Sequence, residues 1–159
     1  MAISEFHEST IIEVKAYFGF DYFECSPDEI TQAFSILPDE IQIKGNKRKL
    51  RNGHEMDILF NSWWIKSKIN SKDINEHLRE LLNILKGKQD CIIPEFGKPN
   101  FSVLWKGNYL YAGSGPFYES DVIIGIAQWN AELYQDIYQI DQEEDEIEYK
   151  SKLKRIPKS

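Results

Sequence analysis

Apolar residues recur with period two in several short runs, three other runs carry them at helical spacing, and most period-two runs have a polar second face. These observations predict an α+β chain, a two-layer ferredoxin-like sandwich whose mainly antiparallel sheet carries helices on one face. The chain has 159 residues, the length of one core. At that length roughly 69% of the extended surface can be buried without help from disulfides or metal. Residues 1–141 read as a single domain and 142–159 as a charged C-terminal tail, a frayed helix or disordered.

Thr10 to Phe18 places Ile12, Val14, Ala16 and Phe18 on one side of a first strand. Ser26-Pro27-Asp28-Glu29 is a helix start: Ser26 can accept a backbone N–H, proline suits the first turn, and Glu29 stands three residues on. Ile30, Ala33, Phe34 and Leu37 form the apolar face of that helix, and Pro38 stops it. Residues 39–57 are hydrophilic and predict a long loop with a short strand at Ile41 to Ile43. Ile58 to Lys68 is a second strand with Trp63, Ile65 and Ser67 on one face and Trp64, Lys66 and Lys68 on the other. Ser71-Lys72-Asp73 opens a helix bearing Ile74, Leu78, Leu81, Leu82 and Leu85, with Gly87 as its C-cap. Phe101, Val103 and Trp105 alternate with Ser102, Leu104 and Lys106 in a third strand. A helix from Ser120 to about Asn130 turns Val122, Ile123, Ile126 and Trp129 inward, and Leu133 to Ile140 is a fourth strand.

Hydrophobic residues make up 42% and charged residues 28% of the chain, an ordinary folded composition that excludes disordered, collagenous and low-complexity classes. Nineteen basic residues stand against 26 acidic ones, and the net charge of −7 has the wrong sign for a protein that works mainly on phosphate backbones. Nucleic acid is therefore disfavoured as a partner. The N-terminal ten residues have no basic and apolar regions of a secretory signal, and no run is long enough for a membrane span. Cys25 and Cys91 are too few and too far apart for a disulfide framework, so two free thiols in a cytoplasmic protein are expected.

The order of landmarks carries a resemblance. The Ser26-Pro27-Asp28-Glu29 helix after a first strand, Trp63-Trp64-Ile65 followed by Ser71 to Leu85, the strand Phe101 to Trp105, and the ending Asp136-Ile137-Tyr138 resemble the bacterial domain-of-unknown-function family numbered 4279, over about residues 8–140. The resemblance implies a small cytoplasmic bacterial α+β protein and brings no reaction, cofactor or catalytic residues with it. The segment after Ile140 lies outside it.

Four groups of residues are candidates for function. Trp105, Tyr109, Tyr111, Gly113, Ser114 and Gly115 belong to an aromatic and glycine-rich passage, Trp105 to Tyr118, whose turn N–H groups and rings could hold a small anion. It lacks both the GxGxxG and the P-loop spacing, so nothing specifies a nucleotide, and a tightly turned packing loop is the simpler reading. Trp64, with Lys66 and Lys68, is a tryptophan on an otherwise wet sheet face and a candidate partner contact, unless residues 39–57 cover it. The run Lys44, Lys47, Arg48, Lys49 and Arg51 could bind anions, but it has no interleaved aromatics and reads more simply as a solvated loop. The acidic run Asp141 to Glu148 reads likewise as a charged tail. His54 with Glu55 and Asp57 lacks HExxH spacing, and His77 sits at the edge of an apolar helix face, so no metal site and no cofactor is assigned. A turn cysteine such as Cys25, without a base nearby in sequence, is expected to be inert.

The favoured function is a non-enzymatic protein-binding module of immunity or adaptor type, acting on a basic protein partner, with a homodimer as a further use of the same face. The alternative is a small-ligand-binding or enzymatic domain built on residues 105–118.

Overall fold

The computed structural model describes residues 11–108 and 116–139. Its strands are β1 (Ile11–Asp21), β2 (Glu40–Gln42), β3 (Lys47–Lys49), β4 (Glu55–Asp57), β5 (Ser62–Lys66), β6 (Asn100–Gly107) and β7 (Glu132–Gln139). Its α-helices are α1 (Pro27–Phe34), α2 (Ile74–Ile84) and α3 (Ser120–Gln128). Five strands form one sheet in the order β2-β5-β1-β6-β7, antiparallel except for the parallel pair β6 and β7, while β3 and β4 make a separate hairpin. The fold is thus mixed α and β, with a mostly antiparallel sheet. Among the described residues no helix is long and apolar enough to cross a membrane.

β1 is the middle strand because both of its edges are paired: Phe18 stands opposite Ile65 of β5 and opposite Phe101 of β6. Val14, Ala16, Phe18 and Phe20 are buried, as their alternation requires. The Phe18 ring meets Phe101 at 5.1 Å, Trp129 at 5.2 Å and Phe20 at 5.6 Å between centroids, tying strand to strand and strand to the end of α3. All three helices contribute to this one core, through Ile30 and Phe34 of α1, Ile74, Leu78 and Leu81 of α2, and Val122 and Ile126 of α3.

The N-caps follow the sequence, whereas the C-cap of α2 is Leu85 rather than Gly87. Ser26 Oγ accepts from the Asp28 N–H, the Ser26 N–H donates to Glu29 at 2.9 Å, and Pro27 occupies the first turn. Asp73 caps α2 by accepting from the Asn75 N–H at 2.9 Å.

Several expectations need correction. Ile12 is 56% exposed, because a register shift between Ile11 and Glu13 breaks the alternation and Ile11 packs on the core instead. Leu37 is 82% exposed: Ser35 takes a left-handed conformation (φ 53°) that ends α1 before Leu37 can join its apolar face. Ile123 is 53% exposed, since α3 turns Val122 and Ile126 inward and lays Gly125 against Leu82, where a Cβ would come within 2.6 Å of Leu82 Cδ1. The short strand expected at Ile41 to Ile43 is present as the edge strand β2, but the rest of residues 39–57 is not one loop, since β3 and β4 form a hairpin there. The second strand is shorter than Ile58 to Lys68, because Asn61 turns the chain beforehand: its side-chain amide donates to the Phe23 carbonyl and accepts from the Lys44 N–H. The proposed tail 142–159 lies outside the described residues.

Helix α2 also holds the approach to α3. Asn75 is buried, its Nδ2 donating to the Phe117 carbonyl at 3.0 Å and its Oδ1 accepting from the Glu119 N–H at 2.8 Å. Arg79 adds a two-point pairing with Asp121 and a contact to Glu119. Asn75→Ala should cost about 1–3 kcal/mol in urea unfolding, because two backbone groups lose their partner. Ile123→Ala should change stability by less than about 0.5 kcal/mol.

Candidate functional site on the open sheet face

The sheet face opposite the helices carries a row of side chains set by cross-strand register. Glu40 of β2 stands opposite Trp64 of β5, Trp64 opposite Gly19 of β1, and Gly19 opposite Asn100 of β6. One step along, Lys66, Tyr17, Ser102 and Tyr134 form the next row. The Trp64 indole lies across Gly19: a Cβ there would come within 2.5 Å of Trp64 Cδ2 and 2.3 Å of the Trp63 carbonyl oxygen. A glycine in mid-strand is thus what lets the ring lie down. Its edge is fixed as well, because Trp64 Nε1–H donates to Asp21 Oδ1 at 2.9 Å.

Two hollows flank the ring. One, of about 320 Å³, is lined by Asp21, Tyr22, Trp64, Asn100, Ser102 and Tyr134. The other, of about 210 Å³, is lined by Tyr17, Glu40, Trp64 and Ser102. Among the described residues the β3–β4 hairpin lines neither hollow, and Trp64 is partly exposed. Tyr22 forms the rim at φ 62°, an unusual backbone for a bulky residue, with its ring stacked on Phe60 at 4.3 Å. Burial pushes the Asp21 carboxyl above its ordinary range, and the Trp64 N–H bond offsets this only in part. Burial likewise raises the Tyr17 phenol.

Of the predicted residues, Trp64 and Lys66 share this face. Lys68 does not line the hollows: its backbone N–H and that of Ile69 donate to Glu80 of α2, and its ammonium pairs with Asp39 at 3.2 Å. Trp105 is buried in the core, while Tyr109, Tyr111, Gly113, Ser114 and Gly115 lie outside the described residues. Lys47, Arg48 and Lys49 form β3 and face Asp57, Met56 and Glu55 across the hairpin, so two of the three meet an acid, and Arg51 is exposed in its turn. Among the described residues no three of His, Cys, Asp and Glu gather as a metal site would need. Burial raises the Cys25 thiol above its usual range, which suits the inert reading.

A second constellation escaped the sequence. Ser67 Oγ accepts the Ala16 N–H at 3.0 Å and lies 2.6 Å from His77 Nδ1, while His77 Nε2–H donates to the Ser71 carbonyl at 2.7 Å. In the neutral imidazole Nδ1 then receives the Ser67 hydroxyl proton. This resembles a nucleophile and its base, and both line a hollow of about 330 Å³. Ser67 is only 6% exposed and His77 2%, however, so the pair serves as a polar clasp between the end of β5 and α2. Ten residues and a turn separate the two, a spacing with no motif.

Gly19→Ala should destabilise the fold by about 1–3 kcal/mol and shift tryptophan fluorescence, because the nearest obstacles are a backbone carbonyl and a ring held from both sides. Unchanged stability and fluorescence would mean that the indole does not rest there. Asp21→Asn keeps an acceptor for the indole and removes a charge that is costly to bury, so the variant should be at least as stable at neutral pH. A carboxyl with a folded pKa above its ordinary 3.8 binds its proton more readily when folded. As pH falls through that raised pKa towards 3.8, the parent therefore gains stability that the variant does not, and paired urea titrations at neutral pH and about pH 4 should read this.

No curated protein and no solved structure matches the chain. The family described as Domain of unknown function (DUF4279) matches residues 12–140, nearly the whole described fold, and the chain belongs to that family.

Proposed function

We propose that the protein is a non-enzymatic protein-binding module of immunity or adaptor type, which docks a basic partner on the open sheet face around Trp64. The single observation that carries this reading is the seating of Trp64: a large ring held flat on Gly19, tethered to Asp21 and partly exposed between two hollows of the sheet face. Rigid aromatic side chains of this kind supply contact area at little entropic cost and are enriched among binding hot spots. Charge favours a basic partner, since the net charge is −7 and the charged residues lining the two hollows, Asp21 and Glu40, are both acidic. Two unpaired thiols suit a cytoplasmic setting. The pair β5 and β6, parallel to each other with β1 between them and α2 in their connection, supports kinship with ferredoxin-like sandwiches.

The alternative, a small-ligand or enzymatic domain on residues 105–118, draws on the Tyr118 hydroxyl. It is buried without a hydrogen-bond partner among the described residues, and burial pushes it up to about 12.

The deciding experiment isolates proteins retained by the parent but not by Trp64→Ala, then reconstitutes the complex from purified components across a salt series. A stoichiometric complex with a basic protein, weakened by salt and about tenfold or more by Trp64→Ala, is expected. Equal retention by both baits, or self-association of the parent alone in light scattering, would overturn the reading.

A further inference from the structure

We propose that the two hollows beside Trp64 form a seat for one arginine side chain of the protein partner, its guanidinium stacked on the indole and reaching Asp21 and Glu40. The inference rests on the docking reading above and adds the chemistry of its anchor. β5 lies between β2 and β1, so Glu40 flanks the Trp64 ring on one side and Asp21 on the other. Tyr17 and Tyr134 add rings, and Ser102 lines both hollows. Among the described residues no basic side chain lines either hollow. On the same face Lys15 and Lys106 both bind Glu13 at 3.1 Å, and Lys66 stands opposite Tyr17 in the neighbouring row.

Each component of the seat asks for a delocalised cation. An indole face attracts a cation through its quadrupole and stacks with a planar one. Asp21 has its charge partly removed from water and satisfied by one neutral donor, the Trp64 N–H, so an incoming cation would relieve a cost that the free protein carries. A lysine ammonium is a compact point charge and serves one carboxylate well. A guanidinium is planar, carries five N–H donors and is more weakly hydrated, so it can lie on the ring while donating towards carboxylates on both sides. The cation therefore comes from arginine.

The test is an NMR titration of the intact protein with blocked tripeptides, Ac-Gly-Arg-Gly-NH2, the lysine and glutamate equivalents, and free L-arginine. The Trp64 indole N–H resonance, assigned with Trp64→Phe, is the readout. The arginine tripeptide should shift that resonance saturably, more tightly than the lysine peptide, and the glutamate peptide should leave it unmoved. Asp21→Asn combined with Glu40→Gln keeps the polar shape and should weaken the shift about tenfold, as expected for loss of charge-assisted bonds. Equal response to arginine and lysine, or no loss in the double variant, overturns the arginine seat. Tighter binding of free arginine than of the tripeptide overturns its assignment to a protein partner. If the reconstituted partner is lost with Trp64→Ala yet held undiminished by the double variant, the docking face stands and the arginine seat falls.

Discussion

The structure depends on β1 being paired along both edges, because a strand with both edges occupied must put all of its chemistry on its two faces. Phe18 and Gly19 are adjacent and point opposite ways. Phe18 joins Phe20, Phe34, Phe101 and Trp129 in the core, while Gly19 provides the bare stretch of backbone on which Trp64 lies. One register fixes both, so a slip of one residue along β1 would bring the glycine into the core and the phenylalanine under the indole. Core and candidate site are two readings of the same pairing.

The connections reinforce that register from the helix side. The Ser67–His77 clasp takes up the Ala16 N–H of β1 and joins the end of β5 to α2, while Glu80 holds the two residues that follow. Asn75 and Arg79, on the same helix, secure the entry to α3. Helix α2 thereby binds polar groups through its first two turns, from Asn75 to Glu80, while its apolar stripe fills the core. Buried polar networks of this sort favour one arrangement over near alternatives, since each misplacement strands a donor or acceptor.

What was legible in the sequence is what depends on near neighbours. The Ser26 to Glu29 capping box, the α2 stripe and the alternation of Trp63 with Trp64 need only spacings of a few residues, and the structure carries all three. Ile12, Leu37 and Ile123 were misplaced because a register shift, a left-handed serine and a helix rotated about Gly125 are set by contacts that periodicity does not contain. The β3–β4 hairpin was hidden for a different reason. Its strands are Lys-Arg-Lys and Glu-Met-Asp, so it has opposite charges in place of an apolar alternation. At the site, Trp64 was visible but Gly19 and Asp21 were not, since more than forty residues separate them from the ring they serve.

Three departures from ordinary sheet construction meet around that ring. A glycine lies inside the central strand near its end, a carboxylate is half-buried with one neutral donor, and the tyrosine just after β1 holds φ 62°. Each is unfavourable by itself: glycine weakens a strand, desolvation penalises the charged acid, and a left-handed bulky residue is strained. Local rules are broken together mainly where a site demands it, and the shared beneficiary here is one indole face, flat, fixed and flanked by carboxylates. Gly19 seats the ring, Asp21 fixes its edge and Tyr22 forms the rim beside it, so all three shape the same stretch of the open face.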